Sequence, residues 1–186
     1  RSGQFAETYL SFDCLPRMLR ADGVETLFEA TRGWGLIDHT LVAGDTTGRI
    51  GHLVRARLPR RPRSNGWLPV PGWTGAHEWD GWIPHEEMPR VIDTPLGLIV
   101  TANNRVAADD GPDYLCTDCH PPYRAQRVLA RLQAAPEARG VEGAASVHAD
   151  TLSLNALLIR DRLAALPAPG DAAAAALRDR LLAWDG

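Results

Sequence analysis

The sequence predicts an α+β chain: a β-rich portion over residues 20–122, then a helical portion over residues 123–186. Three observations carry that expectation. Residues 36–58 alternate apolar and polar positions on either side of a turn-forming tetrapeptide, as a β-hairpin does. A stretch rich in tryptophan and proline ends in an apolar run over residues 97–102. From Tyr123 onward, apolar residues recur at helical spacing between capping residues and Pro-Gly stops.

The elements follow in order. Residues 23–34 read as a helix, with Asp22 as N-cap and Val24, Leu27 and Phe28 on one face. The hairpin runs LIDHTLVAG, then the turn Asp45-Thr46-Thr47-Gly48, then RIGHLVRARL. Residues 59–66, PRRPRSNG, form a polar loop. Trp67, Trp73, Trp79 and Trp82 then stand among prolines. Proline fixes φ, and each indole needs a large apolar surface and a partner for its N–H. The segment is therefore expected to be a rigid, well-packed connection that delivers a strand at 97–102 to a fixed place. The side-chain amides of Asn103 and Asn104 stand at that strand's end.

A helix is expected from Tyr123 to Ala135, with residues 136–143 breaking the pattern. Asp150 is the expected cap of a helix over 151–166, and Asp171 of one over 172–184. These last two predict an antiparallel pair with apolar inner faces.

At 186 residues and 45% hydrophobic content, the chain could hold one core or part of a larger one. A net charge of −3 gives no ground for a nucleic-acid partner. All 20 basic residues are arginine, which fits a GC-rich coding sequence and carries no functional information. No apolar stretch is long enough to predict a membrane-spanning helix. Arg1-Ser2-Gly3 is an implausible natural start, so the lack of a visible signal peptide is uninformative.

Several residues could carry chemistry. Asn103 and Asn104 at a strand end could simply make a turn through side-chain to backbone bonds. Alternatively, a fixed amide N–H₂ could face the oxyanion of a tetrahedral intermediate. Arg124 follows Pro121-Pro122-Tyr123 in the first turn of a helix, where a cation opposes the helix dipole. That misfit favours a specific role, whereas Arg127 and Arg131 are expected to be solvated. Cys116-Thr117-Asp118-Cys119-His120 matches the C-x-x-C-H pattern of c-type haem attachment, with Met18 or Met88 available as a second axial ligand. The same three side chains could ligate zinc, although no fourth ligand is evident. A local Cys116–Cys119 disulfide that leaves Cys14 free fits an exported protein best.

The blocks LPVPGWTG, EWDGWIP, MPRV, P-x-G-x-I-V-T, ANNRV and PPYRAQRV, in that order and spacing, resemble the penicillin amidase (penicillin acylase) family of N-terminal nucleophile hydrolases. Asp45, Gly48, Ile50 and Gly51 match a further block of that family. The likeness runs from near residue 20 to the final AWDG and is densest from Gly44 to Arg131.

The resemblance implies part of a four-layer αββα sandwich. It also implies hydrolysis of an acyl amide by an N-terminal serine whose own α-amine is the general base. Substrates would carry an apolar acyl group, as in penicillins or acyl-homoserine lactones. On the matched positions, Asn103 becomes the oxyanion donor, Arg124 orients the site, and Leu41 and Val42 line the acyl pocket. A structural calcium would be held by Asp113 and the carbonyl of Pro69; no cofactor is implied for the chemistry.

The family's nucleophile, a serine followed by Asn and Trp, has no counterpart at a chain start here. Ser64-Asn65-Gly66-Trp67 copies it superficially, but in an arginine-rich loop instead of at the head of an apolar strand. The chain is therefore expected to be an internal piece of the large chain of a self-cleaving proenzyme, inactive alone. Its partners would be the small chain and the rest of the large chain, in a periplasmic or secreted enzyme. The alternatives are a non-catalytic module on the same scaffold, or a haem protein through Cys116, Cys119 and His120.

Overall fold

The computed structural model describes residues 11–35, 37–108, 115–135 and 140–186. They fall into two compact units, one running to Thr101 and including Arg105–Cys119, the other comprising Ala102–Asn104 and His120–Gly186.

In the first unit, a 3₁₀ turn at Ser11–Cys14 leads into the single turn α1 (Leu15–Met18) and then α2 (Val24–Ala30). Strands β1 (His39–Gly44), β2 (Ile50–Arg55) and β3 (Arg90–Ile92) form an antiparallel sheet in the order β1-β2-β3. The hairpin is where the sequence puts it. Strand β3 was not expected, because three residues after a proline are too short to show alternation. Val24, Phe28, Leu53, Ile83 and Met88 form the buried cluster between α2, the sheet and the segment that follows it.

The α2 cap is Gly23, not Asp22. The Asp22 carboxylate instead accepts the Thr26 hydroxyl at 2.8 Å, and the Gly23 N–H donates to that same hydroxyl at 3.0 Å. The next free helix donor, the N–H of Val24, reaches across to Asp45 Oδ2 in the hairpin turn at 3.2 Å. Asp45 Oδ1 accepts the Thr47 hydroxyl at 2.6 Å and the Thr47 and Arg49 N–H groups at 2.9 and 3.2 Å. One carboxylate thus closes the hairpin and caps the helix packed on it. Gly48 completes the turn at φ +90°, where a side chain would be strained. Gly51 sits beneath the helix: a Cβ there would lie 2.7 Å from Val24 Cγ1 and 3.0 Å from the Phe28 ring.

The tryptophan-rich segment is packed over only part of its length. Trp82 stacks beneath the Arg57 guanidinium at 4.1 Å and meets Trp79 edge-on at 5.6 Å. Backbone bonds from Arg60 to Gly81 (3.1 Å) and from Ile83 to Leu58 (2.8 Å) hold this end. Trp67 and Trp73, however, are 72% and 88% exposed, against the expectation of uniform packing. The expected strand at 97–102 is also absent. Gly97, at φ +65°, closes a turn by donating to Thr94 O at 2.9 Å, and the residues after it join no ladder among the described residues. Apolar β-formers favour extended backbone, but a strand exists only when a neighbour supplies the ladder. Cys116 and Cys119 are joined in a disulfide with a Cα–Cα separation of 6.0 Å, and Cys14 is buried and free.

The second unit holds α3 (Tyr123–Ala134), α4 (Val141–His148), α5 (Leu154–Ala164) and α6 (Ala172–Leu182). Helix α4 falls partly in residues read as a break. Asp171 caps α6 as expected, accepting the Ala174 N–H at 2.7 Å. Ser153, not Asp150, caps α5. The Asp150 carboxylate is instead gripped by the Arg127 fork at 2.7 and 3.1 Å, with Arg131 Nε at 3.4 Å, so these arginines tie α3 to the start of α5 and are not left to solvent. Helices α5 and α6 are antiparallel: the Ser153 N–H reaches Gly186 O at 3.0 Å, and Arg178 reaches the carbonyls of Ala164 and Leu166 at 3.2 Å. Their apolar residues do not all turn inward. Leu158, Ile159, Leu177 and Leu181 are exposed, and Ala125 is the one buried hydrophobic among the described residues of this unit.

Substituting Gly51 by alanine drives a methyl into Val24 and Phe28, and should lower stability by about 1–3 kcal/mol in chemical denaturation. The Thr47 hydroxyl, then the N–H groups of Val24, Thr47 and Arg49, hold the Asp45 carboxyl below its ordinary value of 3.8. A carboxyl lowered on folding stabilises fully above its unfolded pKa and loses that contribution as pH falls through the folded one. Wild type should therefore lose stability in acid more steeply than Asp45→Ala when denaturation is followed from pH 5 downward. Thiol titration of the denatured, unreduced chain should find one thiol, Cys14, and after reduction all three cysteines.

Candidate functional site

Asn103 has a left-handed backbone, φ +61°, a conformation that costs most residues energy but that asparagine tolerates better than any residue but glycine. Such a residue persists when its surroundings over-determine it. Here they do. The His120 N–H donates to Asn103 O at 2.9 Å, within a short parallel bridge between Asn104 and His120. Asn104 braces the turn, its Oδ1 accepting the Ala102 N–H at 2.9 Å. Two adjacent asparagines therefore do different work, one tying the turn and one presenting its amide.

Arg124 determines which way that amide points. It stands in the first turn of α3, after Pro122 has set the chain's entry. Its Nη2 donates at 2.8 Å to Ala102 O and at 2.8 Å to Asn103 Oδ1. A guanidinium only donates, so the atom of Asn103 facing it must be the carbonyl oxygen. The N–H₂ group is consequently directed away from Arg124, on an exposed residue, and has no partner among the described residues. An immobilised amide donor with nothing to donate to suits stabilisation of developing negative charge. The unfavourable place of Arg124 at a helix N-terminus is explained by two carbonyl acceptors in reach.

The other sequence-derived candidates fare unequally. Leu41 and Val42 cannot line one surface, because neighbours on a strand point to opposite faces. Leu41 pairs with Leu53 and packs on the buried cluster, whereas Val42 pairs with His52, which in turn pairs with Val91, and Val42 is 48% exposed.

Ser64 Oγ lies 3.4 Å from His77 Nδ1, but Asn65 Oδ1 holds the same nitrogen at 3.0 Å, and Asn65 Nδ2 donates to His77 O at 2.9 Å. A nitrogen that donates to an amide oxygen cannot also take the proton of a serine. This cluster braces a loop. The disulfide uses both sulfurs that a haem or zinc site at Cys116 and Cys119 would need.

Asp113 lies outside the described residues. Among those described, no three His, Cys, Asp or Glu side chains gather as metal ligands, and Pro69 is an exposed residue. The described residues do not test the expected calcium, and no step below runs through one.

Sequence reasoning missed the backbone contribution of His120. The C-x-x-C-H pattern drew attention to its imidazole, whereas it is the N–H that binds Asn103. Backbone donors leave no trace in residue type.

Comparison with known proteins matches residues 4–186 to the penicillin amidase family model. Over its full length the chain is 69% identical to penicillin acylase 2 proenzyme of Pseudomonas sp. (strain SE83), covering 24% of that protein. It is 31% identical over 180 residues to the acyl-homoserine lactone acylase QuiP of Pseudomonas aeruginosa, covering 90% of this chain and 21% of that one. A solved structure of a thermostable penicillin G acylase from Alcaligenes faecalis superposes with a TM-score of 0.66 at 23% identity, over 95% of this chain and 32% of the other. The chain spans about a quarter of the length of the curated relatives it matches. With matched blocks from the hairpin to the last helix, the chain belongs to the penicillin amidase family.

Proposed function

We propose that this chain is the part of an N-terminal-serine amide hydrolase that supplies the oxyanion donor, Asn103, together with the arginine that orients it. The observation that carries this is the bond from Arg124 Nη2 to Asn103 Oδ1, 2.8 Å, which leaves the Asn103 N–H₂ aimed outward from a left-handed turn. Family membership and the names of its relatives, a penicillin acylase and acyl-homoserine lactone acylases, support an amide hydrolase; the substrate proposed is an acyl amide with an apolar acyl group.

In the complete enzyme, a serine outside this chain attacks the amide carbonyl while its α-amine takes the proton. Negative charge collects on the carbonyl oxygen, and the Asn103 N–H₂ donates to it there. The donor is already fixed, so the step carries no reorganisation at this residue. The amine leaves, water takes its place, and the same donor serves the second tetrahedral intermediate. Val42, on the open face of the sheet, is the residue of the pair proposed to meet the acyl group; Leu41 supports it from the core side.

The rest of the proposal concerns context. The relatives are about four times longer, and the penicillin acylase among them is named a proenzyme. The second unit exposes Leu158, Ile159, Leu177 and Leu181 around almost no buried core, as expected where further protein packs on it. We therefore place the chain inside a four-layer sandwich completed by the remaining parts of a self-cleaving precursor. The disulfide fits a periplasmic or secreted enzyme; no described helix is long and apolar enough to cross a membrane.

In the complete enzyme, Asn103→Ala should lower kcat by roughly 10²–10³ and move KM little, since the donor acts on the transition state. Asn104→Ala should be milder, and Arg124→Ala should also act on kcat because the amide is then free to turn over. Equal, small effects at 103 and 104 would assign both residues to the turn and remove the proposal. The isolated 186-residue chain should not hydrolyse a chromogenic acyl amide, because the proposed nucleophile lies elsewhere. Turnover by it would point back to Ser64.

A further inference from the structure

Arg124, Arg127 and Arg131 follow one another along α3 at helical spacing. At 3.6 residues per turn they fall within an arc of about 60°, on one stripe of the helix. The N-terminal end of that stripe holds the turn: Arg124 Nη2 donates at 2.8 Å to Ala102 O and at 2.8 Å to Asn103 Oδ1. The rest of it holds one carboxylate. Arg127 grips Asp150 with Nη2 at 2.7 Å and Nε at 3.1 Å, and Arg131 Nε stands 3.4 Å from Asp150 Oδ2. Asp150 is itself fixed. Its side chain is 9% exposed, its Oδ1 accepts the Leu152 N–H at 3.1 Å, and its own N–H donates to Val147 O at 3.2 Å. Ala125 is the one buried residue of α3, so apolar packing does little to set the rotation of this helix.

We propose that Asp150 is a positioning residue for the oxyanion donor: it sets the rotation of α3 about its own axis, and with it the hold of Arg124 on Asn103. The proposal rests on the role given to Asn103 above and names the residue that keeps its arginine in place. A two-pronged guanidinium–carboxylate pair fixes direction as well as distance, which a single point contact does not. It also cancels like charge. Arg124 and Arg127 are neighbours on the helix surface, and without the carboxylate their repulsion is relieved when the stripe turns or splays. Arg124 then leaves the two carbonyls, and the Asn103 amide is free to turn over. Asp150 acts on the donor and not on the acyl group, so the effect belongs to kcat.

The test compares wild type, D150N, N103A and the combined D150N/N103A, each as the complete enzyme. Asparagine keeps the shape of Asp150 and removes its charge. D150N should lose roughly ten-fold in kcat with KM within about two-fold, as expected for a slight misplacement of a catalytic group. D150E, which restores the charge, should recover most of that loss. R127K, which keeps the cation but lacks the fork, should show the same fall confined to kcat, and it takes the place of D150N in both backgrounds if D150N does not mature. The deciding comparison is made in the N103A background, where D150N should cost no further kcat if Asp150 acts through Asn103. A merely structural aspartate would instead multiply its loss onto that of N103A, and this would overturn the proposal. So would a D150N enzyme with wild-type kcat, or one whose loss lies in KM. If N103A itself keeps its kcat, the proposed function fails; if N103A is impaired and D150N is not, only the part given to Asp150 fails.

Discussion

One nitrogen of Arg124 holds two carbonyl oxygens, those of the Ala102 backbone and the Asn103 side chain. The candidate site depends on this bond because an asparagine amide can present either end. A donor-only partner removes that ambiguity, and it does so from a helix terminus whose own dipole would rather repel it. The strained backbone of Asn103 is secured by the same neighbourhood, through the His120 N–H and the Asn104 side chain. The candidate site rests on a turn that is held, not on a regular element that ends in the right place.

Asp45 plays the corresponding part in the other unit. Its carboxylate gathers donors from the hairpin turn and from the first turn of α2, so the hairpin cannot close without also receiving the helix. Gly51 lets the two surfaces approach until no side chain fits between them. These residues match a family block for reasons that are visible: a carboxylate to cap, a glycine to turn, a glycine to make room. Their contribution is a stable sheet whose outer face, with Val42 and His52 side by side, stays open.

The amphipathic signals were legible. Residues 36–58 alternate cleanly around a turn with a glycine at its fourth position, and the hairpin follows. Tyr123 onward has helical periodicity and proline before it, and α3 starts at that residue. Misreadings cluster where an interaction partner is distant in sequence. Asp22 looked like a cap, but the donor it would have satisfied is taken by Asp45, 21 residues away. Asp150 looked like a cap as well, yet two arginines on α3 claim its carboxylate. The run at 97–102 has the composition of a strand, and composition cannot supply the neighbour that would pair with it.

By itself, the sequence determined which residues are candidates for chemistry and in what order, since the blocks around Asn103 and Arg124 are a property of residue type and spacing. It also determined the local elements whose stability is local: a hairpin turn, four helices, one cap at Asp171. Tertiary structure decided the rest. It chose which face of Asn103 is presented, separated Leu41 from Val42 across the plane of a sheet, and turned a haem-like motif into a disulfide. The reason is physical. Which atom a side chain presents depends on what lies within about 3 Å of it, and in this chain the decisive neighbours are 17 to 23 residues away.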